Sequence, residues 1–213
     1  AGSLGGPAPL DSQWWEQDPN RGRYFYAPSA YSLGHLNGYV SQKEIAFTTV
    51  AIGLSDYFDI SAGTVIPTLF IEGGAIGFVA AKASVPISEH VHAAVGGQVF
   101  GFEEGGMVLP FGSLTFGEPS KNLTISGGVL QPLMDDSAFN IGLLNIAGVY
   151  RFGPQLAVMS ENWVLFVPDM NNAGFFVAPS GGVRLYGKRF AVDLAAVVID
   201  TNFGNDWGSP IIP

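Results

Sequence analysis

The sequence predicts an all-β protein and, within that class, an up-and-down antiparallel transmembrane β-barrel of about 12 strands (10 to 12) with an extended N-terminal arm. Three observations carry this reading. Apolar residues alternate with small or polar ones over runs of ten or more residues, with no helical stripe. Turn formers break those runs at intervals. Charged residues make up only 13% of the chain, about half the usual soluble share, which is too few to cover a soluble surface.

Residues 1–20, AGSLGGPAPLDSQWWEQDPN, are rich in Gly, Pro and polar residues and lack a period. They read as an arm whose anchors are Trp14 and Trp15. The two tryptophans are candidates for docking a partner subunit of an envelope assembly, or for packing on the protein's own rim.

Residues 21–213 read as the barrel domain. Tight breaks fall at Ser55-Asp56, Ser88-Glu89-His90, Pro119 to Asn122, Phe152-Gly153-Pro154 and Gly187-Lys188. Broader breaks fall between them, at Leu33 to Gly38, Glu72-Gly73-Gly74, Glu103 to Gly106, Gln131 to Asn140, Pro168 to Ala173 and Thr201 to Gly208. Such strict alternation is expected where one rim of a barrel carries turns and the other carries loops. Ser41 to Leu54 and Asn140 to Phe152 read as strands of roughly 13 residues, longer than a soluble strand and enough for a tilted spanning one. Ser209 to Pro213 would begin a last strand, and the ending at Pro213 reads as an incomplete one.

The stretch ASVPISEHVHAAVGGQV (83–99) shows how the faces divide: Val91, Ala93, Val95 and Val99 take one phase, His90, His92 and Gln98 the other. Carried along the chain, the apolar phase includes Ile45, Phe47, Ala51, Phe58, Ile60, Val79, Leu123, Ile125, Ile146, Val158, Leu185 and Leu194, with no charge among them. The opposite phase holds Glu44, Asp59, Lys82, His90, His92, Asn145, Arg151, Glu161, Arg184 and Asp193. In a barrel that phase is a lumen where charges pair; in a soluble meander it faces water. Aromatics near run ends, among them Tyr24, Phe25, Tyr26, Tyr31, Phe58, Phe100, Phe111, Tyr150, Trp163, Phe166, Phe175 and Phe190, are expected to form interfacial girdles.

The segments Asp18 to Ala30 (DPNRGRYFYAPSA), Ala157 to Trp163 (AVMSENW) and Gly181 to Gly187 (GGVRLYG) resemble a group of uncharacterised outer-membrane β-barrel proteins of Bacteroidota-like bacteria. In that group a similar arginine-aromatic-Ala-Pro-Ser opening, a Ser-Glu-Asn-Trp strand and a late glycine-arginine hairpin recur. The resemblance covers most of residues 18–200. It implies location in the bacterial outer membrane after export and signal-peptide removal, and implies no activity. Barrels of this kind finish on an aromatic residue, where this chain has Pro213.

Composition narrows the function classes. A formal charge of −9 with nine scattered basic residues argues against nucleic acid. The absence of cysteine removes disulfides, thiolate metal sites and cysteine nucleophiles. No apolar run is long enough for a transmembrane helix. His90 and His92 are weak metal candidates, with Asp59 or Glu161 as conceivable partners, and no cofactor is expected. Ser160 beside Glu161 is the one suggestive serine, and no histidine falls on a strand expected beside it, so catalysis is not expected. Glu103-Glu104 and Asp135-Asp136 read as solvated loop carboxylates with some capacity for calcium.

The expected function is a structural or partner-binding barrel contacting the lipid bilayer and, through its arm, other envelope subunits. One alternative is a narrow channel for small polar solutes lined by Glu44, Asp59, Lys82, Arg151, Glu161, Arg184 and Asp193; a second is a soluble β-sandwich or lipocalin-like binding protein. About 12 strands is too few for a wide porin.

Overall fold

A computed structural model describes residues 20–44, 46–70, 76–103, 105–133, 140–167, 174–187, 190–198, 200–201 and 211–212. Trp14, Trp15, Ile45, Glu104, Asp135, Asp136 and Lys188 therefore lie outside the described residues. The chain builds one antiparallel sheet in which eleven strands follow one another in sequence order. They are β1 (Gly38–Lys43), β2 (Phe47–Gly53), β3 (Phe58–Val65), β4 (Gly77–Ser88), β5 (Val91–Phe102), β6 (Gly105–Glu118), β7 (Lys121–Pro132), β8 (Ile141–Arg151), β9 (Leu156–Val167), β10 (Gly174–Tyr186) and β11 (Ala191–Val198). Two short pieces end the sheet: β12 (Asp200–Thr201) pairs with β10, and β13 (Ile211–Ile212) with β11. A 3-10 turn at Ile66–Phe70 follows β3. Among the described residues no ladder joins β1 to β11.

The alternation that the sequence shows is obeyed across the sheet, because successive side chains of a strand leave on opposite faces. Val79, Val95, Ile125, Ile146, Val158 and Leu194 are exposed on one face, and Lys82, Ala94, Thr124, Asn145, Glu161 and Arg184 are buried on the other. The two faces are not equivalent in curvature. Tyr26 donates its backbone N–H to Glu161 on β9 and its hydroxyl to Glu44, next to β1. Laid flat at ~4.8 Å per strand, β1 and β9 would stand roughly 38 Å apart. One tyrosine with a glutamate at each end spans far less, so the sheet curls and its polar face is the concave one.

Four expectations need correction. Ser41 to Leu54 is not one strand but a hairpin, turning through Glu44, whose φ of 49° places a non-glycine residue in the left-handed region. No Gly, Asn or Pro marks that turn, and Glu44 sits in it rather than in mid-strand. The β2 phase is the reverse of that expected: Ala51 is buried, 6% exposed, and Phe47 faces inward, while Val50 and Ile52 face out. The alternation of short and long connections is not strict, since β1–β2 and β5–β6 are also joined by only two or three residues. Finally, Tyr24, Phe25 and Tyr31 are not girdle residues, because all three are buried, and neither are Tyr26, Phe100, Phe111 and Trp163, which face the concave side.

Tyr24, Phe25 and Tyr31 belong to a segment, residues 20–34, that forms no strand and runs across the concave face in the half nearer the tight turns. The half nearer the other rim is lined by aromatics, and glycines on neighbouring strands make room for them. Gly63 is the ladder partner of Phe78, and Gly96 that of Phe111. A methyl group at Gly63 would collide with the Phe78 ring at 2.3 Å, and one at Gly96 with the Phe111 ring at 2.5 Å. The rings thus lie against the wall, in the pairing by which an aromatic covers a strand glycine. Gly63→Ala is expected to lower folding stability by about 1–3 kcal/mol through overpacking, and Phe78→Leu in the same chain to restore only the ring's part of it, since the methyl would also meet the Thr48 carbonyl at 2.7 Å. Urea midpoints of the two single variants and the double variant measure this.

Candidate functional site

The concave face holds few large apolar side chains near the tight-turn end. Thr115, Thr124, Ser113, Ser126, Ser84 and Asn145 are buried there, and so are Asp59, Lys82, Glu161 and Arg184. A buried polar group without a partner costs a few kcal/mol and a buried charge more. The 20–34 segment supplies most of the partners, largely from its backbone.

On β3 and β4, Asp59 and Lys82 are ladder partners whose Nζ and Oδ2 lie 3.5 Å apart. The Lys82 ammonium donates to the carbonyls of Tyr31 at 2.7 Å, Ser29 at 2.9 Å and Gly22 at 3.3 Å. Asp59 accepts from the Ser32 hydroxyl at 2.9 Å and the Leu33 N–H at 3.1 Å. On β10 and β11, Arg184 and Asp193 are again ladder partners, joined by two hydrogen bonds of 2.6 and 2.8 Å, and Arg184 Nη2 also donates to the Tyr24 carbonyl at 3.2 Å. Between these pairs, Glu161 on β9 accepts from the Tyr26 N–H at 2.9 Å and from the Trp163 indole at 2.7 Å. Thr115 and Thr124, ladder partners on β6 and β7, bond each other at 2.6 Å; Thr124 also bonds the Tyr24 hydroxyl at 2.6 Å, and Thr115 accepts the Ala30 N–H at 2.8 Å.

The arginines of the segment hold its own shape. Arg21 donates to the carbonyls of Ser32 at 2.7 Å and Leu33 at 2.8 Å, closing the segment into a loop. Arg23 donates to the Phe25 carbonyl, to Asn20 and to Ser41 of β1, and stacks over the Tyr39 ring. The three stretches that carry the sequence resemblance therefore meet: the RGRYFYAPSA segment lies against Glu161 of SENW and Arg184 of GGVRLYG.

The remaining predicted residues are placed differently. Arg151 leaves the end of β8, donates to the Gly153 and Pro154 carbonyls and covers the Tyr186 ring at 4.0 Å. His90 is exposed in the β4–β5 turn, while His92 faces inward against Tyr31, ring centroids 4.6 Å apart. Asp59 and Glu161 are occupied as described, and among the described residues no three His, Asp or Glu side chains gather into a metal-binding group. Ser160 and Glu161 leave opposite faces of β9; Ser160 is exposed, donates to the Ser180 carbonyl and accepts from Asn162, with no histidine beside it.

Toward the other rim the concave face encloses a cavity of about 300 Å³. Its walls include Phe47, Phe78, Phe100, Phe111, Leu143 and Trp163, and its floor is the 20–34 segment through Arg23, Tyr26 and Leu33. Below that segment a second cavity is lined by Arg21, Tyr31, Ser84 and His92. Nothing in the alternation singled out the first cavity, because its aromatics share a phase with the charges. No protein-family model, curated protein or solved structure matches the chain.

Burial of the segment also sets a pH response. Burial pushes the Tyr31 hydroxyl up to about 12, with the Glu118 carboxylate adding to the effect, and raises Tyr24 and Tyr26 further still. The unfolded chain releases these protons near pH 10 and the folded chain only above it, so stability is complete below about pH 10 and falls as pH rises toward 12. Urea midpoints at about pH 9 and about pH 11 should show the loss, and Tyr31→Phe should lessen it. Lys82→Met leaves Asp59 buried without its cation and is expected to cost about 3–5 kcal/mol in the same assay.

Proposed function

We propose that the protein is an integral β-barrel of an outer membrane, stoppered by its own 20–34 segment, with a structural or partner-binding role in the envelope. The observation that carries this reading is the chemistry of the convex face. Val40, Val50, Val79, Val85, Val95 and Leu194 are each more than half exposed there, and they continue into a band of Val, Ile, Leu and Ala around the sheet. Monomeric soluble proteins rarely expose a contiguous apolar patch of more than a few hundred Å². Lipid is the solvent such a surface suits.

Outward aromatics support the same reading by their height on the strands. Phe58, Phe116, Tyr150, Phe152 and Phe190 are exposed near the tight turns, and Phe166 and Phe175 near the opposite rim. From Leu156 to Phe166 on β9, ten residues at ~3.3 Å each and a tilt of ~40° rise about 25 Å, the height of the apolar band in barrels of this kind. Ser160 and Asn162 interrupt the band and satisfy each other and neighbouring carbonyls.

A bilayer would also demand that the sheet leave no open edge, so closure of β1 toward β11 is part of the proposal. The inward charges argue against a conduit for polar solutes. Asp59, Lys82, Glu161, Arg184 and Asp193 are engaged with one another or with the segment that crosses the interior. An ion would have to displace that segment.

The test is fractionation with and without detergent, followed by gel migration before and after heating. Detergent-dependent solubility with faster migration of the unheated form is expected; free solubility in water would sink the membrane reading. Val95→Arg, at mid-height on the convex face, is expected to lower insertion into lipid vesicles, at a cost of about 2–4 kcal/mol. Planar bilayers loaded with the protein should show no steady conductance.

A further inference from the structure

We propose that the 300 Å³ cavity on the concave face is a binding site for a small amphipathic carboxylate, an alkanoate or aryl acid, with its apolar body among the aromatics and its carboxylate on Lys43. This goes beyond the membrane reading and does not depend on it, because the cavity lies on the opposite face of the sheet from the apolar band.

Size and lining come first. The volume is at the lower end of the roughly 300–1,000 Å³ typical of small-molecule sites, which are mostly apolar with a few placed polar groups. Phe47 and Phe78 stack with centroids 5.7 Å apart, and Phe100 lies 6.1 Å from Phe78, so the rings form a continuous wall. Gly63 and Gly96 hold Phe78 and Phe111 flat, leaving the space in front of them open. These features call for a flat or linear apolar body.

Charge selects the head group. The chain carries a net charge of −9, yet the charged residues lining the cavity are three cations, Arg23, Lys43 and Lys82, and one carboxylate, Asp59. Lys82 and Asp59 neutralise each other, and Arg23 is committed to carbonyls of the 20–34 segment and to Ser41. Lys43 is different. Its ammonium lies 4.2 Å from the centroid of the Tyr26 ring, and among the described residues no carboxylate stands within 4 Å of it. An ammonium at the edge of an aromatic chamber, over a ring face and with Glu161 and Asp193 acting on it only from beyond 4 Å, is placed to accept a carboxylate from a ligand. A neutral apolar ligand would leave that cation desolvated, and a cationic one would meet it directly.

The experiment uses Trp163, which lines the cavity, as the reporter. With Trp14, Trp15 and Trp207 replaced by Phe, bromodecanoate and bromodecanol are titrated into the protein in a nonionic detergent, and Trp163 fluorescence is followed. Expected is saturable quenching by bromodecanoate, competed by decanoate. Lys43→Met keeps the length and apolar stem of the side chain; it should weaken bromodecanoate about tenfold or more and leave bromodecanol unchanged. Lys43→Arg should retain the carboxylate preference, and Ala80→Phe, which fills the cavity, should abolish saturation by both. Equal quenching by the acid and the alcohol in wild type and in Lys43→Met would overturn the head-group assignment. Quenching that never saturates and is unchanged in Ala80→Phe would be detergent partitioning and would overturn the site. Saturable, Lys43-dependent binding by a protein that needs no detergent would uphold the site while removing the membrane reading.

Discussion

The need to satisfy buried charge on the concave face organises the molecule. Asp59, Lys82, Glu161, Arg184 and Asp193 project inward from β3, β4, β9, β10 and β11, and the curvature of the sheet takes most of them out of water. A strand neighbour answers part of that demand, as in the Asp59–Lys82 and Arg184–Asp193 ladder pairs. It leaves further donors and acceptors open, and these are met by the carbonyls and N–H groups of residues 20–34. The core is therefore a largely polar one, in which main chain serves as the partner of side chains and the apolar contribution comes from Tyr24, Phe25, Ala27, Ala30 and Leu33 of the same segment together with Ala147, Ala157, Met159 and Tyr186 of the strands. Removing one member of such a network strands the rest, so its parts stand or fall together.

That constraint divides the interior in two. Near the tight turns, short polar side chains such as Thr115 and Thr124 leave room for the segment and bond to it and to each other. Near the other rim, the inward positions turn aromatic and the glycines at 63 and 96 let the rings recede, so a chamber remains above the segment. The same strands thus hold a filled polar half and an open apolar half, with Tyr26 and Lys43 at the boundary. The convex face is mainly apolar, interrupted by polar residues such as Ser160 and Asn162.

Much of the sheet was legible, and the misses have physical causes. Long strands with period-two patterning, such as β4 to β10, announce both their extent and their two faces. The β1–β2 hairpin did not, since Glu44 adopts positive φ where glycine or asparagine would have signalled a turn. In FTTVAIGL both phases contain apolar residues, and the phase of Phe47 and Ala51 was the wrong one because an inward aromatic facing a chamber looks like an outward one facing lipid. RGRYFYAPSAY reads as the start of a barrel with girdle aromatics. Its lack of period was the available signal that it is no strand, but nothing local says that its backbone answers charges 51 to 160 positions away.

The sequence by itself determined an antiparallel all-β chain, the tight turns, the segregation of charge to one face and of aliphatic residues to the other, since all of these follow from nearest-neighbour alternation and local turn chemistry. Tertiary structure alone decided that the charged face is concave, that an aperiodic segment fills half of it, and that the aromatics in the other half surround a cavity. Those outcomes depend on which distant strands are brought within a few ångströms by curvature, and a period of two residues carries no information about curvature.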